Sequence, residues 1–485
     1  MANPVIVACM SAVMTAPRVA TLLGDFDRSP AYAGVSDGLR LLIGEGRIPL
    51  GARLPSERDL TEALGVSRTT VTRAYADLRD RGFAEARTGA GTFTRLPGGR
   101  RATLDRALAP LPGTPDLIDL NCAAGSSPTG LAAIYEDAVG ELPAYLSGHG
   151  YFPAGLPALQ EQIAATYEAR GLPTDPDQVL VTPGALSATA IVAQALTSPG
   201  DRLLVDSPVY PNAANALSSR GARLVTSPVD ASGFDIAGMV ATVRQAAPRA
   251  AYVLADFQNP TGHVMTAAER ETYAAALRRN RVVPIVDEAH QGIVLDDVEM
   301  PPPFASFLPD AITVGSASKQ IWGGLRLGWI RVPRERIDQV TTARLGVDLG
   351  APLLEQLVLA RVLAEPAPIV EPHLARLREQ RDVLVAALRE RLPDWRFLVP
   401  AGGLCLWVEL PAPFATLLAA EAEVRGASIA PGPVFAVEGG LDRFVRLPWT
   451  RPAEELRAAV AILAEAWDAV VEGASAPQTG RVRVV

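Results

Sequence analysis

Lys319 is the only lysine in the 485-residue chain, against a combined lysine and arginine count of 45. A sequence that uses arginine at every other basic position keeps an amine where a guanidinium cannot serve. A primary amine can lose its proton and condense with a carbonyl to form a Schiff base; a guanidinium stays charged. Chance survival of one surface lysine is the alternative. Lys319 closes Gly315-Ser316-Ala317-Ser318-Lys319, and Arg326 follows seven residues later. Ser316, Ser318 and Arg326 supply hydroxyl donors and a guanidinium fork at the spacing of a phosphate-binding loop.

Other residues extend this chemistry. Thr182-Pro183-Gly184-Ala185-Leu186-Ser187 joins a strand to a helix, a turn that offers backbone N–H groups and a helix N-terminus to phosphate. Asp287 ends an apolar strand, where a carboxylate can face a pyridinium nitrogen and hold its proton or can simply cap a helix. Tyr210 is either a core residue or a ring-stacking face. Asn259-Pro260-Thr261-Gly262 is a turn by composition.

A separate constellation lies near the N-terminus. Apolar stripes at Val35, Leu39 and Leu42, then at Leu60, Ala63 and Leu64, predict two helices. Ser67 caps a third, whose buried face is Val71, Ala74, Tyr75 and Leu78. Arg68 and Thr69 occupy its first turn, the part of a recognition helix that reaches base edges; Thr70, Thr72 and Arg73 share its exposed side. Residues 84–94 read as two short strands around a glycine turn, a wing carrying Arg87, Gly89 and Gly91. Arg58 opens the preceding helix. A solvated three-helix interaction module is the alternative.

The elements that position these residues follow from composition and period. A formal charge of −8 argues against a chain coated in nucleic acid, though not against one small DNA-reading module. Cys9, Cys122 and Cys405 are far apart and the histidines show no ligand spacing, so no metal site and a reducing, cytoplasmic compartment are expected. Residues 1–30 read as a loose tail, 31–95 as the DNA reader and 96–117, rich in Pro, Gly and Arg, as a linker. From 118 to 472 short apolar strands alternate with helices, predicting an α/β domain with a mostly parallel sheet, helices on both faces and a small C-terminal α+β lobe. Residues 473–485 are expected to be loose.

Leu54-Pro55-Ser56-Glu57-Arg58-Asp59-Leu60, Leu64-Gly65-Val66-Ser67-Arg68-Thr69-Thr70-Val71 and the wing Gly89-Ala90-Gly91-Thr92-Phe93 resemble the winged helix-turn-helix of GntR-type repressors. The resemblance implies DNA contacts from Arg58, Arg68, Thr70 and Arg73, with Gly89 and Gly91 approaching phosphate. The Lys319 set resembles fold-type I aminotransferases. That implies pyridoxal 5'-phosphate as cofactor, with Lys319 as its Schiff-base residue and Asp287 on the pyridine nitrogen. Asn259 would sit on the phenolic oxygen and Tyr210 would stack on the ring. Gly184, Ala185, Leu186, Ser316, Ser318 and Arg326 would hold the phosphate, joined by Tyr151 from the partner subunit. Arg446, in Phe444-Val445-Arg446-Leu447-Pro448-Trp449, would bind an effector carboxylate; a surface ion pair is the alternative. His290 stands where such enzymes often carry a tyrosine on the phenolic oxygen, and either replaces that bond or packs at the strand end.

The two parts together resemble the MocR subfamily. This implies a homodimer, double-stranded DNA with paired half-sites, no membrane partner, and an amino acid or amine effector sensed at Lys319. An active transaminase with an appended DNA module is the rival reading.

Overall fold

The computed structural model describes residues 14–44, 48, 51–87, 89–95, 117–230 and 232–475. Two compact units emerge. One comprises Met1–Asp119, Glu409–Val445 and Ala461–Val485; the other comprises Leu120–Val408 and Arg446–Val460.

Among the described residues, the first unit has four helices ahead of a hairpin: α1 (Ala16–Leu23), α2 (Ala31–Gly44), α3 (Glu57–Leu64) and α4 (Arg68–Asp80), then β1 (Ala84–Arg87) and β2 (Gly91–Thr94). Ser56 and Ser67 cap α3 and α4, accepting from the Asp59 and Thr70 N–H groups. Gly65 closes α3 at φ +61°, a left-handed conformation that costs glycine little and produces the sharp corner into α4. Val35, Leu39, Leu60, Val71, Ala74, Tyr75, Leu78 and Phe83 form the core of this module. Ala63, expected on the apolar stripe of α3, is exposed instead.

The expected loose tail through residue 30 is corrected. From Met14 onward the chain is structured: α1 carries a fully buried Val19, and Met14 packs into the same core. Residues 1–13 lie outside the described residues, as do 96–116 of the expected linker (96–117) and 476–485. The last helix runs Ala453–Ser475, three residues past the expected boundary.

The second unit is built on an eight-stranded sheet. Its order is Val179–Thr182, Gly328–Arg331, Ile312–Ser316, Val283–Asp287, Ala250–Val253, Arg202–Ser207, Arg223–Asp230 and Gly233–Phe234. Pairings from Ile312–Ser316 through Arg223–Asp230 are parallel, while Gly328–Arg331 pairs antiparallel on both sides. The strands read as continuous apolar runs because both faces are buried. Their carboxyl ends carry Asp287 and Ser316, and Lys319 follows Ser316 closely, which is where open α/β sheets place ligands.

Asp206 is a strained feature of this sheet. It is buried, its Oδ2 has no hydrogen-bond partner among the described residues, and neither does the Oγ of Ser227, its register partner. Burial pushes its carboxyl up to about 7, against hydrogen bonds from Gln258 and Leu254. The folded state therefore holds a proton that the unfolded chain, titrating near ~3.9, releases. Stability from this group falls as pH rises between those values and stays low above them. Asp206→Asn is expected to raise the melting temperature at pH 8 by roughly 3 °C or more, with the gap closing as pH approaches 4; thermal melts at both pH values measure it.

Candidate functional site

The expected phosphate cradle is built from one turn and one loop. Gly184 adopts φ +97° at the start of the Ala185–Leu196 helix, and a Cβ there would lie 3.1 Å from Arg326 Nη2. Arg326 sits at φ +50° and donates from Nη2 to the Pro183 carbonyl at 3.5 Å. Ser318 N–H donates to Ser316 Oγ at 3.2 Å. The sheet brings these segments together through Gly328, where a Cβ would meet the Ala185 nitrogen at 2.5 Å. Gly184, Ala185, Ser316, Ser318 and Arg326 thus converge on one strand-end corner, with Leu186 in the first helical turn. Oriented N–H groups, hydroxyls and a guanidinium are the donor set that a phosphate requires.

Lys319 Nζ donates to the Ala123 carbonyl at 2.9 Å. Burial pushes its ammonium below the usual lysine range, and the nearby Arg446 guanidinium pushes the same way. That favours the neutral amine, the form that attacks a carbonyl. Asp287 accepts from the Ala289 N–H at 2.8 Å and from the Tyr252 hydroxyl. Burial raises its carboxyl, opposed first by the Tyr252 bond. A buried carboxylate at a strand end is a natural partner for a protonated ring nitrogen. Tyr252 escapes sequence reasoning because it depends on register. Tyr252 pairs with Ile285 across parallel strands, which puts it on the same sheet face as Asp287, two residues further on.

Asn259 is buried, and its Oδ1 accepts from Arg446 Nη1 at 3.5 Å, with the Cys405 thiol at 4.0 Å. Arg446, on the Phe444–Pro448 strand, is only 5% exposed and also donates to the Asn121 carbonyl, so it is no surface ion pair. Tyr210 precedes the Pro211–Ser218 helix, its hydroxyl accepting from Asn212 at 2.9 Å.

His290 Nδ1 lies 3.1 Å from the Phe257 carbonyl. A carbonyl only accepts, so Nδ1 carries the proton. Burial, then the charges of Lys319 and Arg446, lowers the imidazole to about 4, leaving it neutral. Its Nε2 is therefore a bare acceptor, unlike a tyrosine hydroxyl, which donates.

The structure brings Lys319, Asp287, Asn259, His290, Arg446 and Tyr210 together by contact or mutual electrostatic influence. Tyr151 stands apart: it is 58% exposed, with its ring stacked on His149. The donors and the burial fit pyridoxal 5'-phosphate: an anion cradle that a Cβ at Gly184 would crowd, an aldehyde-reactive amine, and a buried acid for a ring nitrogen.

On the winged helix, the predicted contacts divide. Ser67 and Thr70 hydroxyls engage each other at 2.9 Å, and Thr72 donates to Glu57 at 2.8 Å. Arg73 stacks over Tyr32 at 4.0 Å. Arg87 is held by Glu85 at 2.7 Å and lies over Phe93. Arg58, Arg68 and Thr69 are exposed, as are Ser67, Thr72, Arg73 and Arg87; Arg68 is 4.0 Å from Glu57 with 78% of its side chain accessible. Gly89 and Gly91 both take positive φ in the wing. Arg53, missed in the sequence, lies beside Gly91, where a Cβ would be 3.0 Å from its Nε. Arg68→Ala is expected to weaken binding to a DNA fragment selected by the parent protein by about 10- to 100-fold, and Arg87→Ala by less. Fluorescence anisotropy at fixed salt measures both.

The pattern of the aminotransferase class I and II family matches residues 144–463, and that of the gntR family of bacterial regulatory proteins matches residues 31–94. The uncharacterized HTH-type transcriptional regulator YdfD of Bacillus subtilis is 25% identical, over 87% of this chain and 92% of its own length. The probable rhizopine catabolism regulatory protein MocR of Rhizobium meliloti is 29% identical, over 76% and 78% respectively. Among solved structures, the α-aminoadipate aminotransferase LysN of Thermus thermophilus, complexed with N-(5'-phosphopyridoxyl)-L-leucine, superposes with a TM-score of 0.66 at 25% identity. It covers 74% of this chain and 93% of its own. Among the described residues, no helix is long and apolar enough to cross a membrane. The chain belongs to the aminotransferase class I and II family and joins that domain to a gntR-family DNA-binding domain, the layout of the MocR subfamily.

Proposed function

We propose that the protein is a pyridoxal-phosphate-dependent transcriptional regulator that senses an amino acid or amine at Lys319. The observation that carries this reading is the pairing, in one chain, of the buried Lys319–Asp287–Arg446 group with a recognition helix whose Arg68 is exposed. When bound, pyridoxal phosphate supplies an aldehyde carbon that exchanges one amine for another. The chain's residues do the rest. Gly184, Ser316, Ser318 and Arg326 hold the phosphate, and Asp287, oriented by Tyr252, holds a proton at the ring nitrogen. Lys319 is the amine displaced, and Arg446 takes the effector carboxylate. Differential binding of that carboxylate is what shifts the protein between states.

His290 supports sensing over turnover. A bare Nε2 cannot donate to the cofactor's phenolic oxygen as a tyrosine would, so that oxygen keeps its proton more readily. His290→Tyr is expected to lower the pH midpoint of the bound cofactor's visible absorbance by about one unit, read in a spectrophotometric titration.

A route to the DNA reader lies within the first unit. Arg40 of α2 is 6% exposed and stacks over Phe414 at 5.0 Å, while Leu417 packs against the winged-helix core. The exposed Leu146, Tyr151, Leu345, Val347 and Leu349 support a homodimer that covers them, with paired DNA half-sites following from its symmetry. A regulator of transcription works in the cytoplasm. The second reading, a working transaminase, draws on the 28% identity to the 2-aminoadipate transaminase of Thermus thermophilus.

DNA binding tests the proposal. Cofactor-loaded protein is used to select fragments from a random DNA library, and their affinity is measured with and without each common amino acid. A several-fold change in affinity with at least one amino compound, absent without cofactor, is expected; selection of no sequence would overturn the reading.

A further inference from the structure

A cavity of about 630 Å³ lies beside the Lys319 site but is lined by none of Lys319, Asp287, Asn259 or Arg446. Its walls come from Ala124–Ser126, from the Ala367–Arg391 helix and from the start of the Ala453–Ser475 helix. The volume falls within the range of small-molecule sites, about 300–1,000 Å³. We infer that this cavity is a second site, for a zwitterionic amino acid, read by Arg376, Glu379 and Gln380.

Three observations carry the assignment. Arg376 uses only Nη2 for hydrogen bonds among the described residues, to the Ser126 carbonyl at 3.0 Å and to His373 Nδ1 at 2.8 Å. Both acceptors are neutral, so its charge is uncompensated, and Nη1 keeps N–H donors that a carboxylate oxygen can accept as a charge-assisted bond. Gln380 is only 9% exposed, yet its Oε1 has no hydrogen-bond partner among the described residues. A buried amide oxygen in a cavity wall asks for a donor, which an ammonium supplies. Glu379, three residues after Arg376 and thus on the same helical face, lines the cavity without an ion pair among the described residues.

Charge balance selects the ligand class. Arg451 and Glu455 neutralise each other at 2.8 Å, leaving Arg376 and Glu379 as one positive and one negative group. A simple anion would leave Glu379 and Gln380 Oε1 unmatched, and a simple cation would leave Arg376 unmatched. An amino acid satisfies all three.

The site has a path to the chemistry next door. Arg376 donates to His373 Nδ1, so the proton of this buried, neutral ring sits on Nε2, and the ring lies against the Lys319 backbone. The wall segment Ala124–Ser126 directly follows Ala123, the acceptor of Lys319 Nζ. A ligand on Arg376 thus pulls on groups that position Lys319 from two sides.

The test uses full-length protein loaded with pyridoxal phosphate and then reduced with borohydride, so that no probe can displace Lys319. Each common L-amino acid is titrated calorimetrically, with acetate and methylamine as half-probes. At least one amino acid is expected to bind one per chain, about 10-fold or more tighter than either half-probe. Glu379→Gln, at an exposed position, should weaken it several-fold, and Arg376→Leu and Gln380→Leu by about 10-fold or more. Arg446→Leu should leave this binding unchanged. The inference is overturned if no amino acid binds the reduced protein. It is equally overturned if Arg446→Leu abolishes binding while Arg376→Leu does not, or if acetate binds as well as the amino acid.

Discussion

Lys319→Arg protein is expected to lose pyridoxal phosphate on dialysis at least about 100-fold more readily than the parent, and to show no absorbance change with any amine. The substitution keeps an N–H donor for the Ala123 carbonyl on a side chain of similar length. It removes only the ability to condense with a carbonyl. Because there is no other lysine in the chain, no neighbouring amine can take over. The phosphate cradle and Asp287 still offer noncovalent contacts, which is why weakened rather than abolished cofactor binding is the expectation. DNA binding without effector should stay within about 2-fold of the parent, since Arg68 and Arg58 are untouched. A coloured, amine-responsive Lys319→Arg protein would contradict the assignment.

Arg446→Leu should separate carboxylate recognition from amine chemistry. Arg446 is buried, and a charge-assisted pair at such a site is worth about 2–5 kcal/mol, or roughly 30- to 4,000-fold in affinity. The response to amino acids should fall by about 100-fold or more. The response to simple amines should persist. A second signature follows from electrostatics: the Arg446 charge helps hold the Lys319 ammonium below its usual range, so its removal should shift Lys319 upward. With more of the amine protonated near neutrality, the pH at which cofactor reloads fastest should rise. Equal losses for amino acids and simple amines would show that Arg446 is structural.

Much of this was legible in the sequence because local chemistry signals itself. Lys319 stood out by rarity, and Asp287 by ending an apolar strand. The third helix of the DNA reader announced its start through Ser67, whose side chain caps Thr70 as expected. What was hidden depends on tertiary placement. Tyr252 reads as an ordinary strand residue until register puts it on the Asp287 face. Gly328 matters only because the Gly184–Ala185 backbone passes against it. Helix α1 has no side-chain cap, no acid in its first turn and no base in its last, so it reads as a tail; burial of Met14 and Val19 gives it structure. The partners of side chains on the predicted recognition face depend on tertiary placement too. Thr72, Arg73 and Arg87 are exposed by pattern, but Glu57, Tyr32 and Glu85 engage them. The opposite happened at Arg446, where an ordinary ion pair was an open alternative and burial removed it.

Sensing of an amine at Lys319, rather than its turnover, is the proposed function. It is tested most directly by following the visible absorbance of cofactor-loaded protein during titration with amino acids and amines, while assaying the same solution for keto acid. A saturable spectral shift with at least one amino compound is expected, with keto acid at no more than about one equivalent per chain. Sustained keto-acid production over many turnovers, or no spectral response to any amino compound, would contradict it.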